Sequence, residues 1–167
     1  YKIASFEMID IPLIKYISKK QKPIIMSTGM ASESEINEAV EAVISQGNDQ
    51  LILLHCISSY PTPLESANLK QLPNLRNRFN TLTGLSDHTL GINVAVTSIA
   101  LGACVIEKHF TLSRKEKGPD SEFSIEPNEL KSLCIETKNA WKSLGKEGFA
   151  RDKIEDSSRI YRRSIYF

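Results

Sequence analysis

Residues 81–110 read TLTGLSDHTLGINVAVTSIALGACVIEKHF. The apolar run TLTGLS gives way to a polar cluster around Asp87 and His88, a smooth helical pattern follows over Val94–Leu101, and CVIEKHF opens a second strand-like run. Strand, helix and strand in this order form one βα repeat. Its strands must run parallel, because the crossover helix returns the chain to the end of the sheet it left.

The same alternation recurs on both sides. YKIASF is a first apolar run, and Asp10 is placed to cap a helix over Ile11–Lys20 with Pro12 in its first turn and Leu13, Ile14 and Ile17 on one face. KPIIMSTGM is the second run. Ser32 with Glu35 then forms a capping box for a helix whose inward stripe is Ile36, Ala39, Val40, Val43 and Ile44, closed by Gly47. LILLHCI is almost continuously apolar, as a strand covered on both faces should be. SSYPTPLES carries two prolines and reads as a loop, before a helix over Asn68–Phe79. After CVIEKHF, Glu126–Leu144 sets Leu130, Leu133, Cys134, Ala140 and Trp141 at helical spacing with Gly145 beyond, which assigns Trp141 to the core.

The fold class is therefore α/β, of the TIM (β/α)8 type, with about five βα units present and too few to close a barrel. An open doubly wound sheet is the structural alternative. No G-x-G-x-x-G follows any strand, so a dinucleotide site has no support.

Composition narrows the function classes. Of 167 residues 41% are apolar and 25% charged, as in a globular protein, and 21 Lys plus Arg against 20 Asp plus Glu leave no field that favours nucleic acid or a membrane surface. Three widely spaced cysteines, Cys56, Cys104 and Cys134, read as reduced core residues of a cytoplasmic protein rather than a disulfide frame. No apolar run is long enough to span a bilayer. A start at Tyr1 and a finish inside the strand-like RRSIYF suggest a piece of a longer protein.

The polar residues gather where the apolar runs end: Lys2, Ser5 and Glu7, then Ser27, Thr28 and Gly29, then Ser58, Ser59 and Tyr60, then Ser86, Asp87 and His88, then Lys108 and His109. In a parallel barrel these ends share one face, where active sites are built. His55, inside LILLHC, reads as a satisfied core histidine. His88 and His109 close consecutive strands, and two neighbouring imidazoles suit a divalent metal with open positions for water and substrate oxygen. Serine hydroxyls beside a lysine are what a phosphate needs. The residues describe a metal-assisted enzyme acting on a phosphorylated small anion.

KIAS, KPIIMSTGM, SSYPTP, GLSDHTLG, ALGACVIEKHFT and GPDSEFSIEP, in this order, resemble the sialic acid synthase family, whose members condense phosphoenolpyruvate with an N-acylated amino sugar. FEMIDIPLI and GPDSEFSIEP look most like the pseudaminic acid branch, with N-acetylneuraminate or legionaminate synthesis as alternatives. The resemblance implies that His88 and His109 bind manganese or magnesium. It implies that Lys2, Ser5, Ser27, Ser58 and Ser86 hold phosphoenolpyruvate, with Tyr60 facing the sugar and Glu7 and Asp120 in catalysis.

It further implies that residues 1–146 are barrel strands 4 to 8. Residues 147–167 would be a linker and the start of an antifreeze-like (SAF) domain, which in a full-length homodimer reaches the partner's active site. Two other readings stand beside it: a phosphate-binding barrel aldolase with Lys108 as Schiff-base lysine, and a catalytically silent truncated chain.

Overall fold

The computed structural model describes residues 1–162. Five strands, β1 (Lys2–Ile3), β2 (Ile24–Ser27), β3 (Leu51–Cys56), β4 (Leu82–Asp87) and β5 (Ile106–Lys108), form one all-parallel sheet in the order β1-β2-β3-β4-β5. Helices α1 (Ile11–Ser18), α2 (Glu33–Ile44), α3 (Gln71–Phe79) and α4 (Asn93–Ala100) make the crossovers, and α5 (Pro127–Ser143) follows β5. The sheet curves enough that the Lys2 ammonium, on one edge strand, stands 3.6 Å from the Glu107 carboxylate on the other. It is a half-barrel.

The anticipated caps form. Asp10 accepts from the Leu13 amide at 3.0 Å, Ser32 and Glu35 close a reciprocal capping box, and Gly47 turns with φ +72°. Side-chain alternation divides the strands. Met26, Leu53 and Leu85 face the helices, and a core of Ile3, Ile14, Ile24, Val40, Val43 and Leu75 packs beside them, each aliphatic side chain worth about 1.5–3 kcal/mol when fully buried. Ser27, Cys56, Ser86 and Glu107 face the concave side, the last three in register across β3, β4 and β5.

Three expectations are corrected. Trp141 is 68% exposed rather than in the core, because α5 packs on α4 through one narrow face on which only Leu133 is buried. Cys104 and Cys134 are exposed, and only Cys56 is a buried thiol. Ile44, expected to face inward, is 60% exposed at the end of α2. The first helix also stops at Ser18, two residues early. Beyond α5 a 3-10 helix over Lys153–Tyr161 is exposed throughout. The strand expected at RRSIYF falls, from residue 163 on, outside the described residues. Among the described residues no helix is long and apolar enough to cross a membrane.

Candidate active site at the strand ends

The C-terminal ends of the strands converge on the concave face. Lys2 donates to Ser27 Oγ at 2.7 Å, and Ser86 Oγ donates to Glu107 Oε1 at 2.8 Å while Glu107 Oε2 faces Lys2. Four strands thus contribute to one polar ring. Beside it Ser5 Oγ accepts from the Gly29 amide at 3.0 Å and donates to Cys56 Sγ at 3.4 Å. Ser58 Oγ is buried with no partner among the described residues. A Cβ on Gly29 would stand 2.4 Å from Ser58 Oγ and 2.7 Å from Ser5 Oγ, so only glycine leaves these hydroxyls their positions.

The two histidines meet as anticipated. Their rings lie edge to face with centroids 5.2 Å apart, and Tyr60 packs against both, tilted at 4.3 Å from His88 and edge-on at 5.9 Å from His109. Phe123 closes the cluster at 5.0 Å from His109. His88 Nδ1 donates to the Ile57 carbonyl at 2.8 Å, which fixes the tautomer and leaves Nε2 free. Burial works against charge on His88, but Cys56, the Ile57 carbonyl and Asp87 together hold its pKa above the usual imidazole value. His109 lies below that value, because it is partly buried and faces His88. Its Nδ1 is 3.5 Å from Asp120 Oδ2.

Lys2, Ser5, Ser27, Ser58, Tyr60, Ser86, His88, His109 and Asp120 are therefore gathered at one face. Glu7 is not drawn into the cluster: it is exposed, and its carboxylate accepts the Ala4 amide at 2.8 Å. Sequence reasoning missed Glu107 and Cys56. Period-two alternation in EKH could have found Glu107, since it puts residues 107 and 109 on one face and Lys108 on the other. Lys108 does point away, its ammonium 2.8 Å from Asp87 Oδ2 with both side chains almost fully buried. It also donates to the Thr89 carbonyl, and Asp87 Oδ1 accepts from Thr89 N–H and Oγ1. That closed network holds no amine ready to attack a carbonyl.

The same residues connect this geometry with known proteins, because the sequence matches the NeuB family over residues 1–148. The chain belongs to the NeuB family. The N,N'-diacetyllegionaminic acid synthase of Campylobacter jejuni is 42% identical over 99% of this chain and 48% of its own length. A pseudaminic acid synthase of the same species is 41% identical over 99% of this chain and 48% of its own length. The crystal structure of the N-acetylneuraminic acid synthetase of Leptospira borgpetersenii superposes with a TM-score of 0.89 at 38% identity, covering 96% of this chain and 56% of that one. This NeuB-family chain spans about half the length of the relatives it matches.

The donor chemistry also bears on a metal. Among the described residues no cluster of three or more His, Cys, Asp or Glu is arranged to hold an ion. His88, with Nε2 free and Nδ1 anchored, and His109, with Nδ1 turned to Asp120, suit a two-histidine site whose other positions belong to water or substrate.

Proposed function

We propose that this chain is the strand 4 to 8 portion of a TIM-barrel nonulosonate synthase. The enzyme condenses phosphoenolpyruvate with an N-acylated amino sugar to give a nine-carbon 2-keto sugar acid and phosphate. The observation that carries it is the pairing of a hydroxyl-lined ring, in which Lys2, Ser27 and Ser86 are joined through Glu107, with two adjacent histidines at the same strand ends. Residues 1–146 belong to the barrel and 147–167 lead into an antifreeze-like domain of a cytoplasmic homodimer.

Lys2, Ser27 and Ser86 hold the phosphate and carboxylate of phosphoenolpyruvate, and the orphan Ser58 hydroxyl, with Ser5, supplies further donors. On anion binding the Lys2 ammonium exchanges Glu107 for phosphate oxygen. His88 and His109 would hold a divalent ion, manganese or magnesium, which would supply Lewis acidity toward the sugar aldehyde. Tyr60 packs the sugar against both imidazoles. The enol carbon bonds to the aldehyde carbon, water adds at the central carbon, and phosphate leaves with its bridging oxygen. Asp120, beside His109, and Glu7, once released from Ala4, handle the protons.

Pseudaminic acid is the product we assign, on FEMIDIPLI and GPDSEFSIEP. Legionaminic acid is the second reading, since the two Campylobacter relatives are equally similar. The test is phosphate release from phosphoenolpyruvate by the protein encoded in the complete reading frame, with manganese and the amino-sugar precursor of either acid. Sugar-dependent release in which 18O from the bridging position stays with phosphate supports the reading; release without sugar, or none, overturns it. A borohydride-trapped adduct at Lys108 would instead revive an aldolase.

A further inference from the structure

Behind the strand ends lies a second concavity, a cleft of about 640 Å³ between the N-terminal halves of α2 and α3. It opens on the helix side of β3, whereas the polar ring lies on the concave side. Helices α1 and α2 pack together, as do α4 and α5, but α2 and α3 stand apart. Arg78 and Glu33 pair across the gap. We propose that this cleft is a second small-molecule site, for a sugar-sized hydroxylated carboxylate.

Its floor carries His55, which is 5% exposed. Nε2 of His55 lies 2.8 Å from the Ala67 carbonyl, which only accepts, so Nε2 bears the proton. Burial lowers the pKa of the ring and keeps it neutral, leaving Nδ1 a lone pair with no partner among the described residues. The ring thus offers an acceptor nitrogen to a hydroxyl or N–H donor. One wall is apolar, with Met30 and Ile36, and suits the C–H face of a sugar. The facing rim is Asn68, Lys70, Gln71 and Asn74: three amides, of which Asn74 Nδ2 donates to Gln71 Oε1 at 3.0 Å, and one ammonium to meet a carboxylate. The volume is that of ordinary small-molecule pockets. Met30 and Asn68, both in the left-handed region at φ 64° and 48°, border it from two different loops.

Occupancy reaches the first site through β3. Cys56 and Ile57 line the cleft, and the same two residues contact His88 Nδ1. A ligand seated on this wall bears on the turn that orients His88.

The ligand class rests on the lining alone; only the probe, a nonulosonate, borrows from the proposed function. N-acetylneuraminate is titrated calorimetrically into the 167-residue chain and four variants. Saturable binding is expected, weakened roughly tenfold or more by Lys70→Ala and by Asn74→Leu, both at exposed positions, and unchanged by Ser86→Ala. His55→Phe, which removes that acceptor, is expected to weaken it as well. No saturable binding, binding indifferent to both rim variants, or binding lost with Ser86→Ala overturns the site. Uncharged N-acetylmannosamine binding as tightly as the acid overturns the carboxylate assignment. Because the readout is binding, its failure leaves phosphate release, and so the proposed reaction, separately measurable.

Discussion

Gly29 is the residue on which the anion-binding geometry turns. Its φ is ordinary, so alanine meets no backbone barrier there, but the added Cβ would drive Ser58 and Ser5 out of their positions. Gly29→Ala is therefore expected to lower kcat/KM for phosphoenolpyruvate by roughly 10²-fold in the complete enzyme with little change in melting temperature, since misplacement by about 1 Å costs that much. An unchanged kcat/KM would show that these hydroxyls do not meet the substrate. His55 gives a pH test. Its pKa is lowered from 6.5 by burial, so the folded state keeps it neutral while the unfolded state takes up a proton. Its contribution is complete above about pH 6.5 and is lost as pH falls toward the lowered folded value. The denaturant midpoint is expected to drop between about pH 7.5 and about pH 5.5, and His55→Gln, which keeps a donor for the Ala67 carbonyl, to shrink that drop. At this scale His88, His109, Ser27 and Ser86 were legible because each ends an apolar run. Cys56 was not, because its partners Ser5 and His88 come from segments after β1 and β4 that are remote in sequence. Asp120 reaches His109 from a long loop to which no periodicity applies, and only the resemblance pointed to it.

Among the elements, β4 and β5 are tied by the Asp87–Lys108 pair, paired in register and facing the helices. Both charges are desolvated and fully bonded, so removing one strands the other. Lys108→Met is expected to destabilise by about 3–5 kcal/mol, whereas a Lys108→Met, Asp87→Leu double change recovers much of the loss. Equilibrium unfolding of the two variants measures this, and equal stability of the single variant and the parent would contradict it. The same pair explains why Asp87 resisted assignment from sequence: GLSDHT looks like one polar cluster, yet alternation sends Ser86 to the concave side and Asp87 to the other. Strand and helix positions were otherwise legible, because apolar runs, the caps at Asp10 and Ser32 and the turn at Gly47 act locally. Helix α5 failed differently. Spacing correctly gave Leu130, Cys134 and Trp141 a common face, but spacing says nothing of what covers a face, and in this chain only Leu133 is buried.

The whole molecule carries the consequence of that uncovered face. Among the described residues two sheet edges are open, at β1 and β5. Phe6 and Ile9 are exposed beyond the first edge, Phe110 and Leu112 beyond the second, and Trp141 on α5 with Leu144 at its C-terminal cap. Unpaired parallel edges flanked by apolar side chains template association, and closing a barrel is what removes them. The chain spans 48% of the length of its Campylobacter relatives. The 167-residue chain alone is thus expected to sediment as a concentration-dependent mixture, to bind a hydrophobic dye and to show a Trp141 emission readily quenched by acrylamide. It is also expected to release no phosphate from phosphoenolpyruvate. Mixing it with a polypeptide carrying three further βα units should abolish dye binding, shield Trp141 and bring phosphate release with it. A monodisperse monomer with no dye binding, or turnover by the chain alone, would show that the half-barrel is self-sufficient. Lys2 and Glu107 already meet across the concavity. A half-barrel whose edges are bridged by side chains before any strand closes it would keep its polar ring assembled, and complementation would then need only to supply the missing wall.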